Sequence, residues 1–450
     1  MAKEYSTELA IIGSGFVGQT IAKELSEDIP SLLLIDISKT SITFDHSEQE
    51  HYSALQLAKT ANPSGGVEVW GTALTKPTIE QYFADTRFED WNVLGKKLPF
   101  SRAAHLFGVK DRQFRFTSHE KRKVSRHFPN LWKHFQVEIH TYGRSKSLKF
   151  GWALDQTTAR PNLSGRVMAI SKLLNGWQVR LETCDEEATV FADELVFASG
   201  AVGNAALAHM ATGEARFPIG NHISASIGSL GFSSPKTFSK FPNTFRPGER
   251  GFVTLSRAPT KSNSPRVGIR FQGLEDTGDT SSPPAWMGTL GVKVAPHIRN
   301  FKARIGLSNA WSIRLMLEHG GDDTRSLSIT SSEKGVSCLV NSEISIAAKT
   351  EVARALEGLS SYFKESLYSL ELSAADSLSW SDAAHYYGTI PMRKSVFGEL
   401  VVNPKYGIVG YEGLYAVGAS AFPRGSHAHP TYLSVCLAMD FTTKFRGYVS

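Results

Sequence analysis

The hydrophobic pattern is sharpest near the start of the chain. Leu9 to Ile12 are consecutive apolar residues, the mark of a strand buried on both faces. Phe16 to Leu25 carry helical character, and Pro30 stands beyond the end of that helix. Leu32 to Ile35 form a second buried run closed by Asp36. Further on, Val167 to Ile170 and Trp177 to Glu182 flank Asn175-Gly176 and predict a hairpin. Asp193 to Ala198 predict a strand running into the small residues Ser199, Gly200, Ala201, Val202 and Gly203, with a helix over Asn204 to Met210. From Phe217 to about Trp380 the texture changes to short runs rich in β-branched and aromatic residues. Phe252–Ser256, Val267–Gln272, Leu290–Ala295, Trp311–Glu318, Arg325–Thr330 and Val336–Val340 predict an antiparallel sheet. Glu351 to Leu370 predict one amphipathic helix packed on it, with Val352, Leu356, Leu359, Phe363 and Leu367 as its apolar stripe. A strand-like run from Leu414 and a helix over Tyr432 to Lys444 close the chain.

These elements predict a mixed α/β fold of two domains. The first is Rossmann-like with a parallel sheet and takes residues 1–75, 150–230 and 400–450. The second has an antiparallel sheet flanked by helices and takes residues 76–149 and 231–399. A chain of 450 residues is also longer than one core usually supports.

Between the first two strands Gly13, Gly15 and Gly18 form G-x-G-x-x-G. The first glycine allows a sharp turn, the second lets a pyrophosphate reach the backbone, and the third lets helix and strand pack closely. The backbone of Ser14, Phe16 and Val17 then sits at a helix N-terminus, which offers unpaired N–H groups to phosphates. Asp36 follows Gly18 by 18 positions, the place of an acid that meets ribose hydroxyls and disfavours a 2′-phosphate. The stretch predicts dinucleotide binding without separating FAD from NAD, and it argues against NADP. Gly65-Gly66 would let a backbone approach a flat ligand, with Trp70 walling that ligand or filling core.

Charge and composition narrow the partners. The net charge is +6, and the basic residues are scattered except in His119 to His127, read as a solvated face. No nucleic-acid partner is expected. Cys184, Cys338 and Cys436 have no metal-ligand spacing, so no metal centre is expected, and a reducing, cytoplasmic setting fits. The N-terminal residues lack the apolar stretch of a signal peptide, and no apolar run reaches the length of a membrane span.

The C-terminal quarter carries the candidate chemistry. His385-Tyr386-Tyr387-Gly388-Thr389 is followed by Leu414 to Phe422, then by His427, His429-Pro430-Thr431 and the last helix. With the glycine motif, this order resembles the glucose–methanol–choline (GMC) oxidoreductases: H-x-x-G-T, a strand with a small-residue turn and Phe-Pro, then Asn or His before Pro-Thr. Gly65-Gly66 with Trp70, Leu195 to Gly203 and Phe217 to His222 resemble further segments of that family. Gly418 stands where many members carry Asp, as in the sugar-oxidising branch typified by pyranose oxidase and fructose dehydrogenase. Val69 falls near the place where some members carry a His that bonds the flavin covalently.

The resemblance implies non-covalent FAD and oxidation of a CH–OH group in a sugar, glycoside, polyol or related alcohol. The electron acceptor, oxygen or another carrier, and the oligomeric state stay open. So do a non-redox FAD-containing lyase of the same fold and a NAD-dependent dehydrogenase. Oxidation needs the hydroxyl proton to leave as a hydride departs, and a neutral imidazole suits that task. By resemblance His385 is the general base and His429 its hydrogen-bond partner, the reverse being open. His427 shares a face with His429 in an extended chain, but Pro-Thr follows His429. The resemblance further places the Val167 backbone at the adenine and Ser199-Gly200 near the cofactor. It places Gly418 and Ala419 at the isoalloxazine, with Pro430 and Thr431 opening a helix aimed at the flavin.

Overall fold

The computed structural model describes residues 3–37, 42–47, 73–76, 87–142, 163–184, 186–232, 252–259, 261, 263–273, 310–319, 325–332, 335–341, 344–364, 368–382, 385–394 and 399–449. Gly65, Gly66, Val69, Trp70 and the strand expected over Leu290–Ala295 lie outside the described residues.

The first sheet is built outward from Lys3–Ile12. This strand runs parallel to Leu33–Asp36 on one side and to Glu187–Phe197 on the other. Leu9, Ala10, Ile11 and Ile12 are fully buried, which is why an unbroken apolar run marks the strand. Leu414–Ala416 adds a further parallel strand against Glu187–Phe197, so the last part of the chain returns to the sheet begun by the first. The hairpin predicted around Asn175-Gly176 is present as Arg166–Lys172 with Trp177–Glu182. It continues the same sheet antiparallel to Glu187–Phe197. Helix Phe16–Leu25 packs against the C-terminal helix Thr431–Val449.

A smaller sheet holds Arg216–Pro218, Ser326–Ser332, Gly335–Asn341 and Ile42–Ser47. The sequence pattern places the middle two strands in the large antiparallel sheet; they pair with each other but belong here. Leu327, Ile329, Val336, Cys338 and Val340 pack into the core around the first sheet. Alternating polarity announces a strand but not which sheet it joins. Trp91 and Phe107, from the 76–149 stretch, bury in that core as well.

The large antiparallel sheet has eight strands among the described residues. Its two faces differ. Ile223, Leu255, Ile269, Ile313, Leu315 and Leu317 bury against helix Ile346–Phe363 and its neighbours. The opposite face carries Glu138, His140, His222, Thr254, Ser256 and Glu318, all buried. Helix Ile346–Phe363 starts where the Ser345 side chain accepts from the Ala348 N–H, and it stops at Phe363. Tyr368–Leu372 is instead an edge strand on Asn221–Phe232, which shortens the helix expected over 351–370. Strand pairing there overrides the helical spacing of the apolar residues.

The basic stretch 119–127 lies on helix Ser118–His127, opened by a Thr117/Glu120 capping box. Lys121, Arg122, Lys123 and Arg126 are exposed while Val124 is buried. No helix among the described residues is long and apolar enough to cross a membrane.

Candidate active site

The glycine turn has the shape its residue types require. Gly13 has φ +117°, and a Cβ there would stand 2.6 Å from the Ala198 backbone. A Cβ on Gly18 would meet the Gly13 carbonyl oxygen at 1.7 Å, so helix and turn touch directly. At Gly15 a Cβ would meet nothing within 4 Å. That opening, at the N-terminus of Phe16–Leu25, is the cradle a pyrophosphate needs. The Ser14 hydroxyl donates to Asp36 Oδ1 at 2.9 Å, which fixes the carboxylate beside the cradle. The Gly165 N–H donates to the Asp36 carbonyl at 3.0 Å, which brings Val167, two residues on, to the same edge. The residues present fit a dinucleotide.

The C-terminal turn closes over this loop. Gly418 has φ +96°, and a Cβ on it would lie 3.0 Å from Val17 Cγ2. The Ser199 hydroxyl donates to the Ile12 carbonyl at 2.8 Å, clamping two strands rather than facing outward. Fully buried Asn204 donates through Nδ2 to the carbonyls of Phe197 and Val417 and to the Ser420 hydroxyl. The segment bearing His385 runs along the same turn: Gly388, Ile390 and Met392 donate to the carbonyls of Ala419, Ser420 and Ala421. These bonds hold His385 beside the start of the last helix, where His429, Pro430 and Thr431 stand.

Three imidazoles meet there. Nδ1 of His385 lies 2.8 Å from Nε2 of His222, and Nε2 of His385 lies 3.3 Å from Nδ1 of His429. Asn221 Oδ1 accepts from the backbone N–H of both His222 and His385, at 2.8 and 2.9 Å, and sets their spacing. Burial first, and the neighbouring histidines next, hold His222 and His429 well below the usual imidazole pKa, so both are neutral at neutral pH. His222 is a functional candidate that the sequence pattern did not single out. Its signal was present in the Phe217 to His222 segment, but nothing local distinguishes its ring from a packing histidine.

The three rings offer ligand nitrogens within 4.8 Å of one another, so the group has the makings of a metal site. The contact chain argues for hydrogen bonding instead. Two ligands on one tetrahedral zinc stand about 3.3 Å apart, whereas His385 and His222 approach to 2.8 Å. His385 also spends its opposite ring nitrogens on two different neighbours.

A second buried network backs the first. His427 turns away from His385, and its Nε2 lies 3.2 Å from Glu138 Oε2. Glu138 also accepts from the Ser256 hydroxyl at 2.8 Å. Burial alone would raise the Glu138 pKa, but His427, by charge and hydrogen bond, brings it below the usual carboxylate value. His140 touches Thr75 Oγ1 through Nδ1 at 2.6 Å, and burial pushes its pKa down to about 3. Beneath His222, its register partner Glu318 forms a buried ion pair with Arg424 at 3.1 Å. Thus His429 faces His385 and His427 does not. The glycine loop meets Asp36 through Ser14, Ser199 beside Gly13 and Gly418 beside Val17; Gly200 opens the helix after Ser199, and Ala419 follows Gly418.

Comparison with known proteins agrees with this geometry. A family model described as GMC oxidoreductase matches residues 329–438, the segment that holds both His385 and His429. A search of curated proteins finds no match. Among solved structures the chain is similar to pyridoxine 4-oxidase from Mesorbium loti, with TM-score 0.64 and 15% identity over 98% of this chain and 99% of that one. It is also similar to a fungal aryl-alcohol oxidase, with TM-score 0.60 and 12% identity over 99% of both chains. The two-domain α/β fold is therefore shared with these oxidases.

Proposed function

We propose that this chain is a FAD-dependent oxidoreductase that oxidises a CH–OH group to a carbonyl. The observation that carries the reading is the meeting of His385 and His429 beside a turn that itself packs on the G-x-G-x-x-G loop. Gly13 to Gly18 and Asp36 would hold the dinucleotide without a covalent link, with Val167 at its adenine and Gly418 and Ala419 at its ring system. When bound, the flavin supplies the hydride acceptor at N5.

The chain's own residues do the rest. The substrate hydroxyl enters between His385 Nε2 and His429 Nδ1, replacing their long 3.3 Å contact with two shorter ones. His385 accepts the proton at Nε2, which requires the other proton of its ring on Nδ1, donated to Nε2 of His222. His222 thereby selects the tautomer in which the outward nitrogen is basic, the role a third group plays in other base-assisted sites. His429 holds the hydroxyl oxygen and orients the carbon. Burial keeps His222 neutral, so its Nε2 can accept from His385, and keeps His429 neutral, so its single ring proton can sit on Nδ1 and donate to the hydroxyl oxygen. The N-terminus of Thr431–Val449 adds a partial positive charge beside the site. Gly418 in place of the more common Asp favours the sugar-oxidising branch of the family, and the polar face of the large sheet suits a hydroxylated substrate.

The experiment is anaerobic mixing of the purified yellow protein with a panel of polyols, sugars and aromatic alcohols. Bleaching by at least one alcohol class, reversed on admitting an acceptor, is the expected result. A protein that stays colourless after reconstitution with FAD refutes the cofactor; one that stays oxidised while turning over substrate makes it a lyase.

A further inference from the structure

Arg325 stands just before strand Ser326–Ser332, whose Leu327 and Ile329 pack into the core around the first sheet. Only 2% of its surface is exposed. Its guanidinium carries N–H donors on Nε, Nη1 and Nη2. Among the described residues none of these nitrogens meets an acceptor, and Arg325 forms no ion pair. Arg424, also buried, shows the usual solution, a two-point pair with Glu318. A buried cation without a counter-charge is strongly unfavourable, and folds rarely keep one unanswered.

A second donor without an acceptor lies close by. Ser326 pairs with Pro218, and two residues past Pro218 the backbone of Gly220 exchanges hydrogen bonds with Tyr387 at 2.8 and 2.9 Å. The Tyr387 ring is wedged between two glycines: a Cβ on Gly220 or on Gly425 would stand 2.2 Å from it. The Gly425 N–H faces the Tyr387 oxygen, but the hydroxyl proton has no acceptor. Burial pushes this phenol well above the usual tyrosine pKa, so it keeps its proton; the charge of Arg325 pulls the other way, which marks the guanidinium as its neighbour. Glu318, whose charge also reaches the ring, already accepts from Arg424 Nε and Nη2 and from the Arg266 N–H. The same ring and the strand residues Pro218, Ile219 and Gly220 border a cavity of about 20 Å³, room for one water-sized guest.

We infer that Arg325 and Tyr387 form a binding site for one small monovalent anion of the size of chloride. The guanidinium N–H groups and the phenol O–H are donors only in search of an acceptor, and a halide accepts from several directions at once. It also brings the single negative charge that the guanidinium lacks, making every bond charge-assisted. A water molecule could accept some of these bonds but would leave the charge unanswered. The cavity leaves no room for a sugar acid or a phosphate ester. The inference does not depend on the oxidising function: Tyr387 is two residues from His385, and the bound ion would fasten that segment to the strand behind Arg325 without touching the imidazoles.

The test uses the full chain exchanged into chloride-free buffer, with potassium gluconate holding the ionic strength constant as chloride replaces it. The melting temperature is expected to rise with chloride and then level off, by about 3 °C at a hundred times the dissociation constant. Arg325→Met should lose the response. Because it removes a buried charge, that variant should melt no lower than the unaltered chain without chloride, and lower than it in saturating chloride. No saturable rise, a rise of equal size in Arg325→Met, or a variant equally destabilised with and without chloride overturns the site. So does a response that appears only when Asp322 and Asp323, which precede Arg325 in the sequence, are both replaced by Asn, since the chain would then supply its own counter-charge. Should Arg325→Met fail to fold, crystals of the unaltered protein grown in bromide decide the matter: an anomalous peak within hydrogen-bond distance of Arg325 and the Tyr387 hydroxyl is expected, and bromide found only on the surface rejects the site.

Discussion

His385 has no nitrogen to spare. Its two ring nitrogens face His222 and His429, so any proton it gains is shared along a line of three imidazoles. Such rings titrate as a unit, and the pH dependence of flavin reduction should report the group rather than one ring. Replacing His385 with Ala should leave cofactor absorbance intact and slow reduction by about 10²–10⁴-fold, the usual span for a general base. His222→Gln should cost less and should also displace the pH profile of reduction; an unchanged profile would remove His222 from the tautomer role. The glycines of the turn make opposite predictions from one another. Gly18→Ala places a methyl 1.7 Å from the Gly13 oxygen and should lower the melting temperature of the cofactor-free protein. Gly15→Ala meets nothing within 4 Å and should leave that temperature alone while weakening FAD binding.

At the scale of elements, side chains tie the last part of the chain to the rest, among them Arg446, which donates to Asp28 just past the end of the first helix. Asn204 is one joint and the Glu318–Arg424 pair another. Glu318 is fully buried and accepts from Arg424 Nε and Nη2 and from the Arg266 N–H. Glu318→Ala would strand a buried guanidinium and should destabilise the fold by about 3–5 kcal/mol, read from denaturant midpoints. Wild-type stability in that variant would mean that Arg424 finds solvent. The elements nearest the first sheet were legible in the sequence because each carried its own local signal. Leu9 to Ile12 is an unbroken apolar run, and a Cβ on Gly13 or Gly18 would strike neighbouring backbone. The strands 326–341 were legible as strands, but their partner strand Arg216–Pro218 is three residues long and carries no signal of the pairing. Tyr368–Leu372 looked like the last turn of a helix because edge pairing with Asn221–Phe232 leaves no trace in periodicity. His385 and His429, whose rings meet, were singled out as candidates through their neighbours Gly-Thr and Pro-Thr. His222, Glu138 and His140 were not, because only sheet register brings them to the same place.

The molecule as a whole is a polar seam between two apolar cores, and its acid sensitivity follows from that seam. His222 and His429 are held well below the usual imidazole pKa and His140 down to about 3, each chiefly by burial. The unfolded chain takes up these protons from about pH 6.5 downward while the folded chain resists, so stability falls as pH drops below that value. Glu138, held below the usual carboxylate value chiefly by His427 once burial is overcome, adds stability at higher pH that is lost as it protonates. Melting temperature should therefore fall steadily between about pH 6.5 and pH 4; a flat profile would mean that the seam is wet. In the function proposed above, both ends of the chain meet around one flavin with two imidazoles at its reactive edge. A crystal structure of the FAD-loaded enzyme tests this most directly. His385 Nε2 and His429 Nδ1 should converge on one point beside N5, with the pyrophosphate on Gly15. Density that places the ring system elsewhere, or turns either imidazole away from it, would rule out this site.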